Sequence, residues 1–214
     1  MQNISILIMY MKRTILFSII IITFCSCQNK KEGTNINSED IKNINEIVEA
    51  VIIQDSLDVF SKNKNSTMFC CELRRLNIYI PEKRRDGLTL PAPPQDIYIT
   101  ELVNSKKREE SFFSSKDSLY ILQQNSNPER LIIEENLINK LNVTTFKKAQ
   151  IQSKTVQQFR FYDMTIPVLS LDRQKAYVQL GYHCGSLCGN GKAIYLKKIN
   201  GKWIIIQKWE TWIS

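Results

Sequence analysis

The sequence predicts an α+β domain, in which an N-terminal amphipathic helix and one or two short helices pack on a C-terminal antiparallel β-meander. Three observations carry this prediction. An apolar stripe at helical spacing lies within residues 39–60, alternating apolar and polar residues follow Val156, and the turn Asn200-Gly201 separates two strand-like segments. The chain of 214 residues is long enough for one such domain with a sizeable core.

The first predicted element is a helix from Glu39 to Phe60. Asn37 stands three residues before Asp40, which is an N-cap pattern at the head of an apolar run. The residues expected on its buried face recur every three or four positions: Ile41, Ile44, Ile47, Val48, Val51 and Ile52. We interpret this stripe as core rather than as a partner-binding surface.

A strand and a long loop are predicted next. Apolar residues alternate at Leu76, Ile78 and Ile80, and Pro81 ends the run. Glu82–Asp96 is rich in charge and contains three prolines, which cannot donate to a strand ladder, so it is predicted to be irregular. Loops of this length are surface excursions or binding segments, and the sequence leaves both interpretations open.

Two short helices are predicted before the meander. Residues 96–103 fit a strand or a helix equally well. Ser115 resembles an N-cap with Asp117 in the first turn, which predicts a helix ending near Gln124, and Glu134–Leu141 is the second candidate.

The C-terminal strands can be registered from the turn. A two-residue turn at Asn200-Gly201 predicts five opposed pairs: Ile199–Lys202, Lys198–Trp203, Leu196–Ile205, Tyr195–Ile206 and Ile194–Gln207. The predicted core face of this hairpin comprises Ile194, Leu196, Trp203 and Ile205. In the preceding strand the predicted apolar face comprises Ala176, Val178, Leu180 and Tyr182, and the opposite face carries Tyr177, Gln179 and His183.

The N-terminus has the anatomy of an export signal. Lys12-Arg13 precedes the apolar run Thr14–Phe24, which is too short for a comfortable membrane span of about 20 residues. Cys27 follows a small residue and precedes polar sequence, which resembles the lipobox of bacterial lipoproteins. That resemblance implies cleavage before Cys27 and lipidation of its sulfur, with Met11 as the true start. An uncleaved N-terminal anchor is the alternative interpretation.

These features divide the chain into residues 1–26 as signal peptide, 27–37 as flexible tether and 38–214 as a single α+β domain. The formal net charge is +8, and removal of Lys12 and Arg13 leaves +6. Such a surplus can indicate nucleic-acid binding. An exported chain rarely meets nucleic acid, so we expect no nucleic-acid partner and a solvated basic surface instead.

Four of the six cysteines remain after the signal and the lipidated Cys27 are set aside, namely Cys70, Cys71, Cys184 and Cys188. An oxidising compartment favours disulfides. Two connectivities join the Cys70-Cys71 pair to the later turn, and one requires a strained bridge between those neighbours. A disulfide between Cys184 and Cys188 alone is the further alternative, and it is the pairing that we predict.

Metal ligation and thiol redox chemistry are the alternatives to a structural disulfide at this turn. His183, the only histidine, together with Cys184, Cys188 and either Cys70 or Cys71 could ligate zinc or copper. A redox-active pair is a second alternative, although the spacing is CxxxC rather than CxxC. A lone strand histidine is usually structural, and we predict neither a metal nor a cofactor.

The lipobox and the closing segments, CGSLCGNG, YLKKINGKW and TWIS, with Pro167–Val178, resemble uncharacterised small lipoproteins common in Bacteroidota. This resemblance covers the signal and about the last fifty residues; it implies an exported lipoprotein and brings no known activity. The last hairpin is also similar to that of NTF2-like and cystatin-like folds. An NTF2-like hydrolase or isomerase would use acids such as Asp163 or Asp172.

The function predicted from sequence is therefore coarse. No phosphate-binding glycine loop, HExxH or GxSxG motif occurs. We predict a non-enzymatic, lipid-anchored envelope domain, at the periplasmic face of the outer membrane, whose partners are the bilayer and an envelope protein or small molecule. The metal or thiol-redox protein and the NTF2-like enzyme are the alternatives.

Overall fold

A computed structural model describes residues 36–60, 66–83, 85–93, 95–103, 112–156, 159–185 and 188–214. The described residues belong to one compact unit. The predicted signal peptide, Cys27 and most of the tether lie outside the described residues. Within the ranges described, none of the helices is both long enough and apolar enough to cross a membrane.

The fold is α+β, as predicted. Its helices are α1 (Ser38–Gln54), α2 (Ile99–Val103), α3 (Ser118–Gln123), α4 (Glu135–Lys140) and α5 (Phe146–Thr155). Its strands are β1 (Met68–Cys70), β2 (Glu72–Arg74), β3 (Ile78–Tyr79), β4 (Ile97–Tyr98), β5 (Arg130–Ile132), β6 (Val143–Thr144), β7 (Phe161–Met164), β8 (Val168–Leu169), β9 (Lys175–His183), β10 (Gly189–Ile199) and β11 (Lys202–Ile213).

The main sheet is mixed. Its strand order is β11-β10-β9-β7-β1-β6, with β8 paired beside β7 on β9. The predicted antiparallel meander is confirmed in β9, β10 and β11, whereas β1 pairs in parallel with both β6 and β7. Two small sheets, β2 with β5 and β3 with β4, flank it.

Helix α1 starts where the sequence predicts. Asp40 N donates to Asn37 Oδ1 at 2.8 Å, so Asn37 is the N-cap, and five of the six predicted stripe residues are buried while Ile41 is half-buried. The helix ends at Gln54 rather than at Phe60. Asp55 caps its end, and the Asp55 carboxylate accepts hydrogen bonds from Lys192 and Lys208, which fastens the helix end to β10 and β11.

The hairpin register agrees with the prediction close to the turn and departs from it farther away. Ile199–Lys202, Lys198–Trp203 and Leu196–Ile205 pair as predicted. The predicted pairs Tyr195–Ile206 and Ile194–Gln207 are wrong: Tyr195 pairs with Gln207 and Ile194 with Lys208, because Ile206 is an extra residue in a β-bulge and shifts the pairing by one. A second bulge at Thr211 shifts the last pairs by one more. The predicted core face is nevertheless largely confirmed: three of its four side chains are buried and Ile205 is half-buried.

Both faces of the main sheet are covered. One core packs α1 against the face of β9 that carries Ala176, Val178 and Leu180, the three buried residues of its predicted apolar face. A second core packs α2, α3 and the residues Phe112 and Phe113 against the opposite face.

The middle of the chain agrees in part with its predictions. The predicted strand is regular only in β3. Residues 96–103 form β4 and then α2, so the strand interpretation holds for two residues of that segment and the helix interpretation for five. A single 3-10 turn, Ser115–Asp117, leads into α3. Its N-cap is Ser114, one residue before the predicted Ser115, and the Ser114 N–H donates to Asp117 Oδ2 at 2.8 Å. Helix α4 confirms the second short helix, and α5 was not predicted.

Candidate functional site

The cysteine turn closes the end of β9 and β10 by a disulfide. Cys184 and Cys188 are bonded, with Cα atoms 5.1 Å apart, and Cys184 N donates to Cys188 O at 2.9 Å. The predicted bridge is therefore confirmed. Its position between two paired strands means that it stiffens a turn rather than joining distant parts of the fold.

The other two cysteines are buried thiols. Cys70 and Cys71 are free, so the connectivities that join them to the turn are wrong. Burial raises the pKa of Cys70 to about 12, and it raises the pKa of Cys71 as well. A thiol that stays protonated at neutral pH is a poor nucleophile and a poor metal ligand.

The disulfide argues against the metal alternative, and the hydrogen bonds of Asp172 argue against its use as a catalytic acid. The disulfide consumes the thiolates of Cys184 and Cys188 that a metal would need. Within the described ranges no group of three or more His, Cys, Asp and Glu side chains could hold a metal ion. Asp172 accepts from Ser170 Oγ at 2.6 Å and from Gln174 N at 3.0 Å, so it is a turn residue.

Asp163 and His183 meet in a polar chain that crosses the second face of the sheet. His183 Nε2 lies 2.7 Å from Asp163 Oδ1, and Asp163 Oδ2 lies 3.4 Å from Arg74 Nε. Arg74 also donates to Gln179 Oε1 at 3.3 Å, and Gln179 donates to the buried hydroxyl of Tyr177 at 3.2 Å. The pairing of Phe161 with His183 brings these side chains together.

This polar chain is built tightly. Burial of Asp163 opposes its ionisation, but the hydrogen bond and charge of His183 and the charge of Arg74 outweigh burial and lower the pKa of Asp163. A Cβ at Gly181 would collide with the Asp163 carboxylate, so glycine makes room for the ion pair. The cavity beside it measures about 10 Å³, which holds one water at most. The cluster is therefore structural rather than a ligand site.

A larger cleft lies at the N-terminal end of α1. Its volume is about 430 Å³, which is within the range of small-molecule sites. Its walls come from the start of α1, the end of α3 with the turn that follows, β8 and Arg173. Ile36, the first described residue, lines it. No described residue of the proline-rich loop does, so that loop does not form the cleft.

An ion pair forms one wall of the cleft. Arg173 Nε donates to Asp40 Oδ1 at 2.5 Å, and the hydroxyl of Tyr120 donates to Asp40 Oδ2 at 3.3 Å. Burial and the charge of Asp40 raise the pKa of Tyr120. Arg173 sits in a turn at a φ of +56°, a conformation that non-glycine residues rarely adopt. The lining therefore carries one charge of each sign, and Glu39, which does not line the cleft, lies 3.9 Å from Arg173 Nε.

Amide side chains supply most of the remaining polar groups. Gln124 accepts from Leu169 N and donates to Leu169 O, each at 2.9 Å, so it anchors β8 in the manner of a neighbouring strand. The side-chain amides of Gln123 and Asn127 make no hydrogen bond within the described part of the chain. These two amides are therefore available to a ligand.

Sequence reasoning did not identify the cleft. Asp40 and Arg173 are 133 positions apart, and no local pattern indicates their contact. Comparisons with known protein families, with curated proteins and with solved structures found no match.

Proposed function

We propose that the chain is an exported, lipid-anchored protein of the bacterial envelope whose α+β domain binds a saccharide in the cleft at the start of α1. The observation that carries this proposal is the chemistry of the lining, in which four amides and two hydroxyls predominate and the two charged residues, Arg173 and Asp40, are bonded to each other.

A balanced lining of this kind favours a neutral ligand. Each sugar hydroxyl both donates and accepts a hydrogen bond, and amides such as Gln123 and Asn127 also do both. Apolar contacts from Ile44, Pro167 and Leu169 complete the walls, as the carbon faces of a sugar ring require. The Tyr120 hydroxyl lies beside the Asp40 carboxylate, but that carboxylate is paired with Arg173 and the pKa of Tyr120 is raised, which disfavours a nucleophile, so we propose binding rather than catalysis.

We expect at least one neutral oligosaccharide to bind when cellotriose, maltotriose and N-acetylchitotriose are titrated into the chain by calorimetry. The double variant Gln123→Ala, Asn127→Ala should weaken binding by about 1–3 kcal/mol, because each lost hydrogen bond is worth about 1 kcal/mol. The thermal unfolding temperature should change little, since neither side-chain amide makes a hydrogen bond within the described part of the chain.

The matched control is Gln150→Ala, which removes an exposed amide from α5 outside the cleft. Equal weakening in this control would show that the sugar binds elsewhere. Failure of all three sugars to bind would overturn the ligand class.

The anchor is tested separately by metabolic labelling with a palmitate analogue. We expect label on the full chain expressed in a bacterial host and its loss in Cys27→Ala, because the thiol of Cys27 is the proposed acceptor. Cys25→Ala is the matched control and should keep the label, since Cys25 would be removed with the signal. Unchanged labelling of Cys27→Ala would contradict the anchor without affecting the cleft.

A further inference from the structure

Strand β11 forms one end of the main sheet and is unusually long. It has 12 residues, about twice the length of a typical strand, and it pairs with β10 on one side only. No strand in the described part of the chain pairs with its outer side. The side chain of Gln54 in α1 already bonds Trp203 O and Ile205 N, so the part of this edge that offers a template for another strand begins after Ile205.

The side chains of β11 are apolar for an edge strand. Ile204, Ile206, Trp209 and Ile213 are between 37% and 73% exposed. Soluble proteins usually protect such an edge with charges, and only Lys202, Lys208 and Glu210 are charged in this strand. The arrangement of those charges indicates what covers the edge.

A second copy of β11 can pair antiparallel with the first in several registers, and two of them set opposite charges against each other. An axis through Ile206 would pair Lys202 with Glu210, but it needs the backbone groups of Trp203 and Ile205 that Gln54 already bonds. When the two-fold axis passes through Trp209, Lys208 of each copy lies opposite Glu210 of the other. An axis through Lys208 or through Glu210 would place like charges opposite each other, which destabilises a strand pair. An opposite-charge pair across two neighbouring strands stabilises it.

The β-bulges of β11 define the length of this pairing. They fall at Ile206 and Thr211, where the register with β10 shifts, and they leave residues 207–210 regular. Bulges bend an edge strand, so we expect the pairing to run from Gln207 to Thr211 and not to continue past the two bulges. A short central contact with two-fold symmetry closes on itself and cannot grow into a fibre.

We propose that this protein forms a two-fold dimer in which β11 strands of two copies pair antiparallel with Trp209 at the axis. The six-strand paths of the two sheets then join into one continuous sheet. The dimer does not depend on the saccharide site, because no β11 residue lines the cleft.

Cysteines at positions 207 and 211 test this register, because Gln207 of one copy lies opposite Thr211 of the other. Opposed Cα atoms in an antiparallel pair are about 4.5–5.5 Å apart, within reach of a disulfide. Two copies of residue 207 would be four positions apart, about 14 Å, which is too far. The full chain is expressed with two different tags, one copy carrying Gln207→Cys and the other Thr211→Cys, and membranes are oxidised with copper phenanthroline.

We expect a disulfide-linked species containing both tags on a non-reducing gel when the two variants are co-expressed, and none from either variant alone or from the natural chain. Maleimide labelling confirms that the new thiols are accessible. Accessible thiols without a cross-link, or equal cross-linking within each single variant, would overturn the register.

A second measurement avoids new cysteines. Light scattering of the detergent-solubilised full chain should give the mass of a dimer, and Glu210→Lys should give a monomer because it sets lysine opposite Lys208. Glu129→Lys makes the same charge change at a side chain that is 86% exposed and distant from β11 in sequence, and it should remain a dimer. A natural chain that is monomeric, or a dimer that persists in Glu210→Lys, would overturn the proposal.

Discussion

Alanine in place of Asp163 is expected to lower the free energy of unfolding by about 3–5 kcal/mol, because removing one partner of a buried ion pair leaves the other charge uncompensated. The side chains of Asp163 and Arg74 are only 11% and 18% exposed. The variant would also remove the hydrogen-bond partner of His183, which stacks on Phe161 with ring centroids 4.6 Å apart. Urea unfolding followed by circular dichroism measures the loss.

Asp172→Ala is the matched control, since it removes the other acid that the sequence singles out. Asp172 lies in an exposed turn with hydrogen bonds to Ser170 and Gln174, so about 1 kcal/mol should be lost. Adding Arg74→Met to Asp163→Ala should cost less than the sum of the two single changes, because the stranded cation is then gone. Strict additivity would contradict a direct Arg74–Asp163 interaction.

The ion pair of Asp163 with Arg74 makes the free energy of unfolding depend on pH in the acid range. The folded state lowers the pKa of Asp163 below the unfolded value of about 3.9, because the hydrogen bond and charge of His183 and the charge of Arg74 outweigh burial. A carboxylate whose pKa is lower in the folded state contributes its full stabilisation of the fold at pH values above its unfolded-state pKa. That contribution is lost as the pH falls through the folded-state pKa. Between about pH 5 and pH 2, Asp163→Asn should therefore lose less stability than the natural chain does.

The sequence anticipates those parts of the fold in which a local pattern and the final packing coincide. The stripe of α1 repeats over about three turns, so its buried face follows from spacing, and its Asn37 cap follows from the residue types at the helix start. The hairpin register follows from the Asn200-Gly201 turn as far as Leu196. Beyond that point a bulge at Ile206 shifts the pairing, and nothing in an unbroken apolar strand indicates where an extra residue will stand.

Other parts could not be anticipated because their causes are distant in sequence. Helix α5 buries only Ala149, so no apolar stripe marks it, and it is held by its Thr145 cap. Asp163 and His183 could each be singled out as unusual residues. Their contact depends on how β7 pairs with β9. Arg74, whose charge completes the ion pair, lies in β2, 89 positions before Asp163.

The second large effect is expected in α1, where Ile47→Ala should lower the free energy of unfolding by about 2–5 kcal/mol. Ile47 is fully buried in the core between α1 and the sheet. Truncation removes apolar contacts and leaves a cavity that a helix held at both ends cannot collapse, because Asn37 caps its start and Asp55 fixes its end to β10 and β11. Guanidinium unfolding at constant m-value measures the change.

Ile53→Ala is the matched control, because it makes the same substitution in the same helix at a side chain that is 58% exposed. Alanine has the higher helix propensity, so both variants gain a few tenths of a kcal/mol in the helix itself, and the difference between them isolates packing. Ile53→Ala should therefore change stability by no more than about 0.5 kcal/mol. Similar losses at the two positions would mean that α1 does not pack by the face that carries Ile47, and the start of the cleft, which the same helix positions through Asp40, would have to be redrawn.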